Sequence, residues 1–237
     1  MNEYYEHPYP SAKLESQYPF NVYEYERLTE EVMLSRAKSF YDKMDRRRSI
    51  RMFSSDSVPQ ELIELAVKAA STAPSGAHKQ PWTFVATQDP EIKRAISAAA
   101  EQEEKINYLE NRMNTEWQEA LAPLGTDHHK EFLEIAPWIV VLFEQRYETR
   151  PDGAILKNYY VKESVGIAAG LFITALHHMG LTTLTHTPTP MKFLNKVLDR
   201  PKSERPFVLF PVGYPLEGVK VPELQRKDLN EIFTTVF

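Results

Sequence analysis

Residues 46–53, RRRSIRMF, set Arg46, Arg47, Arg48 and Arg51 around Ser49. A solvated helix end with surface ion pairs is the commoner fate of such a run, but planar guanidinium groups and a hydroxyl at this spacing also suit a chemical task. They donate short, charge-assisted hydrogen bonds to the oxygens of a phosphate or carboxylate. A third reading, an arm that tracks nucleic-acid phosphates, is disfavoured by overall charge. With 28 Lys+Arg against 33 Asp+Glu, the chain carries −5 and lacks the basic excess of a general nucleic-acid binder. Backbone phosphate cradles are missing as well: neither G-x-G-x-x-G nor G-x-x-x-x-G-K-[ST] occurs among only 8 glycines. A phosphate held here must be held mostly by side chains.

Other candidate groups are scattered. Glu104 and Tyr108 stand four apart, hence on one face of a helix; on a glutamate-rich helix the simpler reading is a surface pair. Lys130 has no signature of its own. Ser75, Gly76 and Ala77 read as a helix-to-strand turn, and Thr185, His186 and Thr187, in THTPTP, as a proline-rich strand exit. The pairs His128–His129 and His177–His178 point their rings in different directions, with no carboxylate at ligand spacing, so no metal site is expected. The chain has no cysteine, which removes disulfides, thiolate nucleophiles and iron–sulfur clusters. No G-x-S-x-G elbow suggests a serine hydrolase.

The elements that must position these groups follow from periodicity. Helices are expected over 29–44, 58–71, from Pro90 through Tyr108, over 162–179 (closed by Gly180) and over 192–199. Strands are expected over 82–87, 138–144, 181–185 and 207–214. Residues 72–81 read as a loop, 114–127 as irregular, and 229–237 as ending in strand-like residues. Residues 1–28 read as an extended arm ordered against a second subunit; residues 29–237 form the folded domain. A chain of 237 residues can bury a substantial core. Its helices and well-separated apolar strands predict an α+β or α/β protein with a central sheet. No run is long and apolar enough to span a bilayer, and the N-terminus has no signal-peptide pattern; a cytoplasmic protein is expected.

RRRSIRMF, a helix, and then APSGAHKQPWTFV together resemble the FMN-dependent nitroreductase superfamily, with its R-x-S-x-R/K element and a P-S-x-x-N/H-x-Q/E-P-W loop before a strand. INYLENRM, KEFLEIAPWIVVLF, AAGLFITALHHMGLTTLTHTP and FPVGYPLEGVKVPELQRKDL narrow the resemblance to its iodotyrosine-deiodinase family, over residues 29–237. The resemblance implies an α+β nitroreductase-like fold: a central, mostly antiparallel sheet flanked by helices, in a domain-swapped homodimer with two FMN sites at the interface. It implies that Arg47, Arg48, Ser49 and Arg51 line the FMN site. Arg47, Ser49 and Arg226 would bind the phosphate, and Arg51 would reach the pyrimidine end. Ser75 would touch FMN, as would Thr185 and His186, the latter standing where the family often has Thr. Thr187 would donate to flavin N5, favouring one-electron steps. Glu104, Tyr108 and Lys130 would clamp the zwitterion of a halogenated tyrosine, with the Ala77 N–H on its phenolate. Residues 101–130 would form a substrate lid. The implied reaction is reductive dehalogenation fed by an NADPH-linked electron donor, in a form without the membrane anchor of vertebrate members. A general nitroreductase or quinone reductase, and a flavin- or phenol-binding module without turnover, remain alternatives.

Overall fold

Polar and apolar residues are distributed very differently in the two compact units of the chain, Met1–Asp42 and Lys43–Phe237. The computed structural model describes residues 7, 9–110 and 112–236. In the first unit, Ser11 caps a single helical turn, α1 (Ala12–Glu15), its Oγ accepting from the Leu14 N–H at 3.3 Å. This turn interrupts the segment expected to be extended; residues 19–29 form neither helix nor strand. Most of α2 (Glu30–Asp45) follows, with Leu34, Phe40 and Tyr41 more than half exposed.

The second unit is built on strand β2 (Trp138–Gln145), apolar along nearly its whole length because both of its faces are covered. Trp138, Val140 and Leu142 face α3 (Gln60–Ser71) and α7 (Val161–His178). Ile139, Val141 and Phe143 face α4 (Pro90–Leu109), the short α6 (Phe132–Ile135) and α8 (Phe193–Val197). The period-2 alternation of a strand thus divides the core into two layers. On α3, Ile63, Ala66 and Ala70 supply the buried stripe at helical spacing.

β2 is flanked by β1 (Trp82–Thr87) and β6 (Glu204–Gly213), and β5 (Thr182–Thr183) pairs with the far side of β6. The order β1-β2-β6-β5 is antiparallel throughout. β1 and β5 are therefore opposite edges, three inter-strand spacings or about 14 Å apart. At the β5 edge the chain extends the sheet twice more. Ser49 bridges Thr183 in parallel, with the Ile50 N–H donating to Thr183 O at 3.2 Å, and His186 exchanges both backbone bonds with Leu209.

Several elements differ from expectation. Residues 114–127 contain a helix, α5 (Thr115–Leu121), because Asn114 Oδ1 accepts from the Trp117 N–H at 2.9 Å and caps it; a 3-10 turn, Ala122–Leu124, then ends at Gly125 in the left-handed region. A hairpin of β3 (Tyr147–Thr149) and β4 (Ile155–Lys157) stands apart from the main sheet. The expected strand over 181–185 shrinks to two residues and a bridge. The C-terminal segment opens on a helical turn, α9 (Leu229–Ile232), started by a capping box of Asp228 and Glu231. Among the described residues no helix is long and apolar enough to cross a membrane.

Candidate active site

Arg47, Arg48, Ser49 and Arg51, expected to act together, line one cavity of about 450 Å³ with Thr185 and Arg226. The local fold explains the convergence. α2 ends at Asp45, the Arg48 guanidinium caps it by donating to the Asp45 and Arg47 carbonyls, and the chain turns onto the β5 edge at Ser49. Arg226 arrives from the far end of the chain, held by Asp45 at 2.6 Å and donating to Arg47 O at 3.4 Å. Burial lowers the pKa of Arg47, and the charges of Arg226 and Arg48 lower it further. Like charges gathered at one wall, with Asp45 the only carboxylate paired to them among the described residues, favour an anion in the cavity. Asp45 has no counterpart in the sequence reading: a partner 181 positions away leaves no local pattern.

Arg51 also lines a second cavity of about 440 Å³, with Thr126, Asp127 and Phe132. Burial lowers its pKa, opposed by the charge of Tyr108. Glu104, Tyr108 and Lys130 do not line this cavity, but they come together behind its Thr126–Asp127 wall. Glu104 and Tyr108 share one face of α4, and Lys130 Nζ lies 5.6 Å from the centre of the Tyr108 ring. Lys130 is only 2% exposed. Its ammonium donates to Asp127 O and to Thr126 Oγ1, the latter at 3.2 Å, while its N–H donates to Glu101 at 2.7 Å. Burial pulls Lys130 below the ordinary lysine value, against the nearby Glu104 and Asp127 carboxylates. Burial pushes the Glu104 carboxyl above the ordinary carboxylate range, against the pull of Lys130 and a hydrogen bond from Asn107. It also raises Tyr108, which hydrogen-bonds Thr126. An acid, a base and a phenol that are each costly to charge alone form a set that gains from binding a zwitterion. Arg112, not singled out in the sequence, ties this segment down: its Nη1 donates to Glu103, to Asn107 and to Thr189 O at 3.0 Å.

His186 feels the charges of both Lys130 and Arg51. It is buried, its ring meets Phe132 edge-on at 5.8 Å, and its Nε2 has no hydrogen-bond partner among the described residues. Burial pushes its pKa down to about 3, helped by Lys130 and Arg51, so it is a neutral imidazole. Thr185 and Thr187 on either side are exposed, and Thr187 O accepts from Thr189 Oγ1 at 3.2 Å.

Ser75 and Ala77 are placed elsewhere. Their loop leads into β1, the edge opposite β5, and neither lines the arginine cavity. Ser75 Oγ accepts from the Gln80 N–H at 2.9 Å. Ala77, His78 and Gln80 all have left-handed φ, near 50°, a strained run that persists only when its surroundings fix it. No hydrogen bond among the described residues uses the Ala77 N–H. The loop rests on the start of α7, where the Gly76 N–H donates to Ser164 Oγ. A Cβ on Gly76 would lie 2.8 Å from Tyr160 Cδ2 and 3.1 Å from Tyr159 O. Gly76→Ala is therefore expected to destabilise the protein by about 1–2 kcal/mol, measured as a lower Tm; an unchanged Tm would mean the loop shifts without cost.

The nitroreductase family pattern matches residues 44–214, which takes in the arginine segment, the Ser75 loop and the whole sheet. The chain is 59% identical to the iodotyrosine deiodinase of Haliscomenobacter hydrossis over 198 residues, 84% of this chain and 89% of that protein. The chain belongs to the iodotyrosine-deiodinase branch of the nitroreductase family. Within that branch it is also 43% identical to the iodotyrosine deiodinase of Danio rerio, over 86% of this chain and 69% of the relative. A solved structure of oxidised iodotyrosine deiodinase bound to FMN and 3-iodo-L-tyrosine matches with a TM-score of 0.73 and 28% identity, over 83% of this chain and all of that one. The antiparallel sheet flanked by helices is thus a nitroreductase fold.

Proposed function

We propose that this protein is an FMN-dependent iodotyrosine deiodinase, which converts 3-iodo-L-tyrosine, and diiodo- and other halotyrosines, to tyrosine and halide. The observation that carries the reading is the meeting of Glu104, Tyr108 and Lys130 beside Arg51, which also lines the arginine cavity. A nitroaromatic or quinone has no ammonium or carboxylate for the part-buried Glu104 and the buried Lys130 to hold.

The cavity's donor set fits FMN: mutually repelling arginines and a serine hydroxyl suit a phosphate dianion. Bound there, FMN would supply the reducing electrons. In this reading Arg47, Ser49 and Arg226 hold the phosphate, with Arg48, whose guanidinium also caps α2, beside them. Arg51 places a positive charge at the pyrimidine end, where reduction builds negative charge. Thr185 and His186 contribute cofactor contacts, and Thr187 donates to N5. Glu104 takes the substrate ammonium, Lys130 its carboxylate, and Tyr108 a hydrogen bond. The free Ala77 N–H donates to the phenolate. Residues 101–130 act as a lid, ordered over the site by the zwitterion contacts and excluding water. The overall change is an aryl C–I bond, two electrons and one proton giving C–H and iodide, with the electrons coming from an NADPH-linked donor.

The sheet supports a homodimer. Arg47 and Thr187 belong to the β5 edge while Ser75 and Ala77 precede β1, about 14 Å across the sheet. We infer that Ser75 and Ala77 complete the site of a second copy, and that the exposed apolar residues of α2 and of the C-terminal tail, such as Phe40, Ile232 and Phe233, swap across that interface.

The test is anaerobic: reduce the flavoprotein with dithionite, add 3-iodotyrosine and assay tyrosine. Tyrosine formation is expected; nitroaromatic reduction without any tyrosine would retire the substrate assignment. Thr187→Ala is expected to shift the enzyme toward two-electron chemistry such as complete nitro reduction, while iodotyrosine turnover drops. An unaltered product distribution would remove Thr187 from its role.

A further inference from the structure

A third concavity, of about 730 Å³, is walled by Arg146, Lys192, Lys202 and Arg205 and bordered by Thr189 and Pro190. In a chain of net charge −5 this is a local reversal of sign. Its one lining carboxylate, Glu204, is buried and already occupied, accepting from Arg200 at 2.8 Å and from Thr83 at 2.7 Å. Glu144, also buried, lies 3.7 Å from Arg205. No salt bridge among the described residues involves Arg146, Lys192 or Lys202. All four cations are exposed. Long, exposed side chains, of which only Arg205 has a carboxylate partner among the described residues while the Arg146 guanidinium donates to Lys202 O at 2.8 Å, do not make a fitted pocket for a small anion; they make a surface that attracts a negatively charged macromolecule quickly and releases it quickly.

The location gives that surface a purpose. Thr189 is two residues from Thr187, so their Cα atoms are at most about 7 Å apart. The Arg112 and Asn107 side chains both donate to Thr189 O, joining the rim of the concavity to the helix that carries Tyr108.

We propose that this concavity is the docking face for an acidic one-electron carrier protein that reduces the enzyme. The proposal rests on the deiodinase reading, which requires two electrons per turnover. Two successive dockings each oxidise one carrier by one electron; with a proton, the pair converts aryl C–I to C–H and iodide. A weak, salt-sensitive encounter through a small charged patch is the usual form for such partners.

The probe is a bacterial flavodoxin, acidic and reducible to a one-electron donor. Its binding to the holoenzyme is titrated at low and high salt, and its reoxidation rate is followed by absorbance, for wild type and Lys192→Glu/Lys202→Glu. Both substitutions are on exposed side chains, and circular dichroism checks the fold. The reversal is expected to weaken binding and slow reoxidation by about 10- to 100-fold at low salt, while dithionite-driven tyrosine formation stays at the wild-type rate. Equal binding by both proteins, or no binding by wild type, would overturn the proposal. So would direct reduction by NADPH that the reversal abolishes, which would give the concavity to a dinucleotide. If flavodoxin binding responds as expected but dithionite yields no tyrosine, the docking face stands and the deiodinase reading falls.

Discussion

Glu104→Gln is expected to lower kcat/KM for 3-iodotyrosine by about 100-fold and leave turnover of a nitrophenol nearly unchanged. Losing one partner of a desolvated, charge-assisted pair costs on the order of 2–5 kcal/mol, and about 2.7 kcal/mol is a factor of 100. The substitution keeps the shape of the side chain, so the effect reports charge. A nitrophenol has no ammonium and gives Glu104 nothing to hold. Equal losses on both substrates would favour a general nitroreductase or quinone reductase. The pH profile carries the same information. Glu104 must be ionised to pair the ammonium, and burial holds its pKa above the ordinary carboxylate range. The acid limb of kcat/KM should therefore fall as pH drops through that raised value, at higher pH than an exposed carboxylate would give. In Glu104→Gln this limb should disappear.

Removing Arg47 and Arg226 together should strip the protein of its flavin. Wild type is expected to keep FMN through gel filtration, and the double alanine variant to elute colourless, with Kd raised about 1000-fold. Two charge-assisted phosphate contacts at about 2 kcal/mol each account for that size of change. Arg46→Ala is the control: Arg46 is exposed and does not line the cavity that holds Ser49 and Arg226, so its loss should leave flavin content intact. Because Arg226 also pairs with Asp45, unfolding of the flavin-free wild type and variant should be compared; similar Tm values locate the effect in the site. Full flavin retention by the double variant would move the phosphate elsewhere.

Much of this arrangement is legible in the sequence, for uneven physical reasons. β2 stands out because a strand packed on both faces must be apolar throughout, and β1 because WTFVAT is a short run of β-branched and aromatic residues bounded by turn residues. α3 and α7 stand out because their buried stripes recur at helical spacing. The hairpin of β3 and β4 is hidden: three-residue strands, partly exposed, have neither alternation nor an apolar run. α5 is masked by Pro123 and Gly125, although its cap, Asn114, is a recognised start signal. RRRSIR draws the eye as a charge run, but by composition alone it reads equally as a solvated helix end; the family resemblance is what points it toward an anion. Glu104, Tyr108 and Lys130 carry no such mark, since what makes them a set is the burial of Lys130 and its approach to Tyr108, both products of the tertiary fold. Their roles could be anticipated only through family resemblance. The position of Ser75 and Ala77 on the opposite sheet edge is a property of strand order, which no local pattern encodes.

The bridge between Ser49 and Thr183 has a consequence for how loading of the site could be observed. The Ile50 amide hydrogen is committed to Thr183 O, in the segment that carries Arg47 on one side and Arg51 on the other. Its exchange with deuterated solvent requires the arginine segment to peel away from the strand that leads to Thr187. An anion gripped by both pieces would slow that opening, and the Ile50 amide would become a built-in clock for occupancy, readable without turnover and without a chromophore.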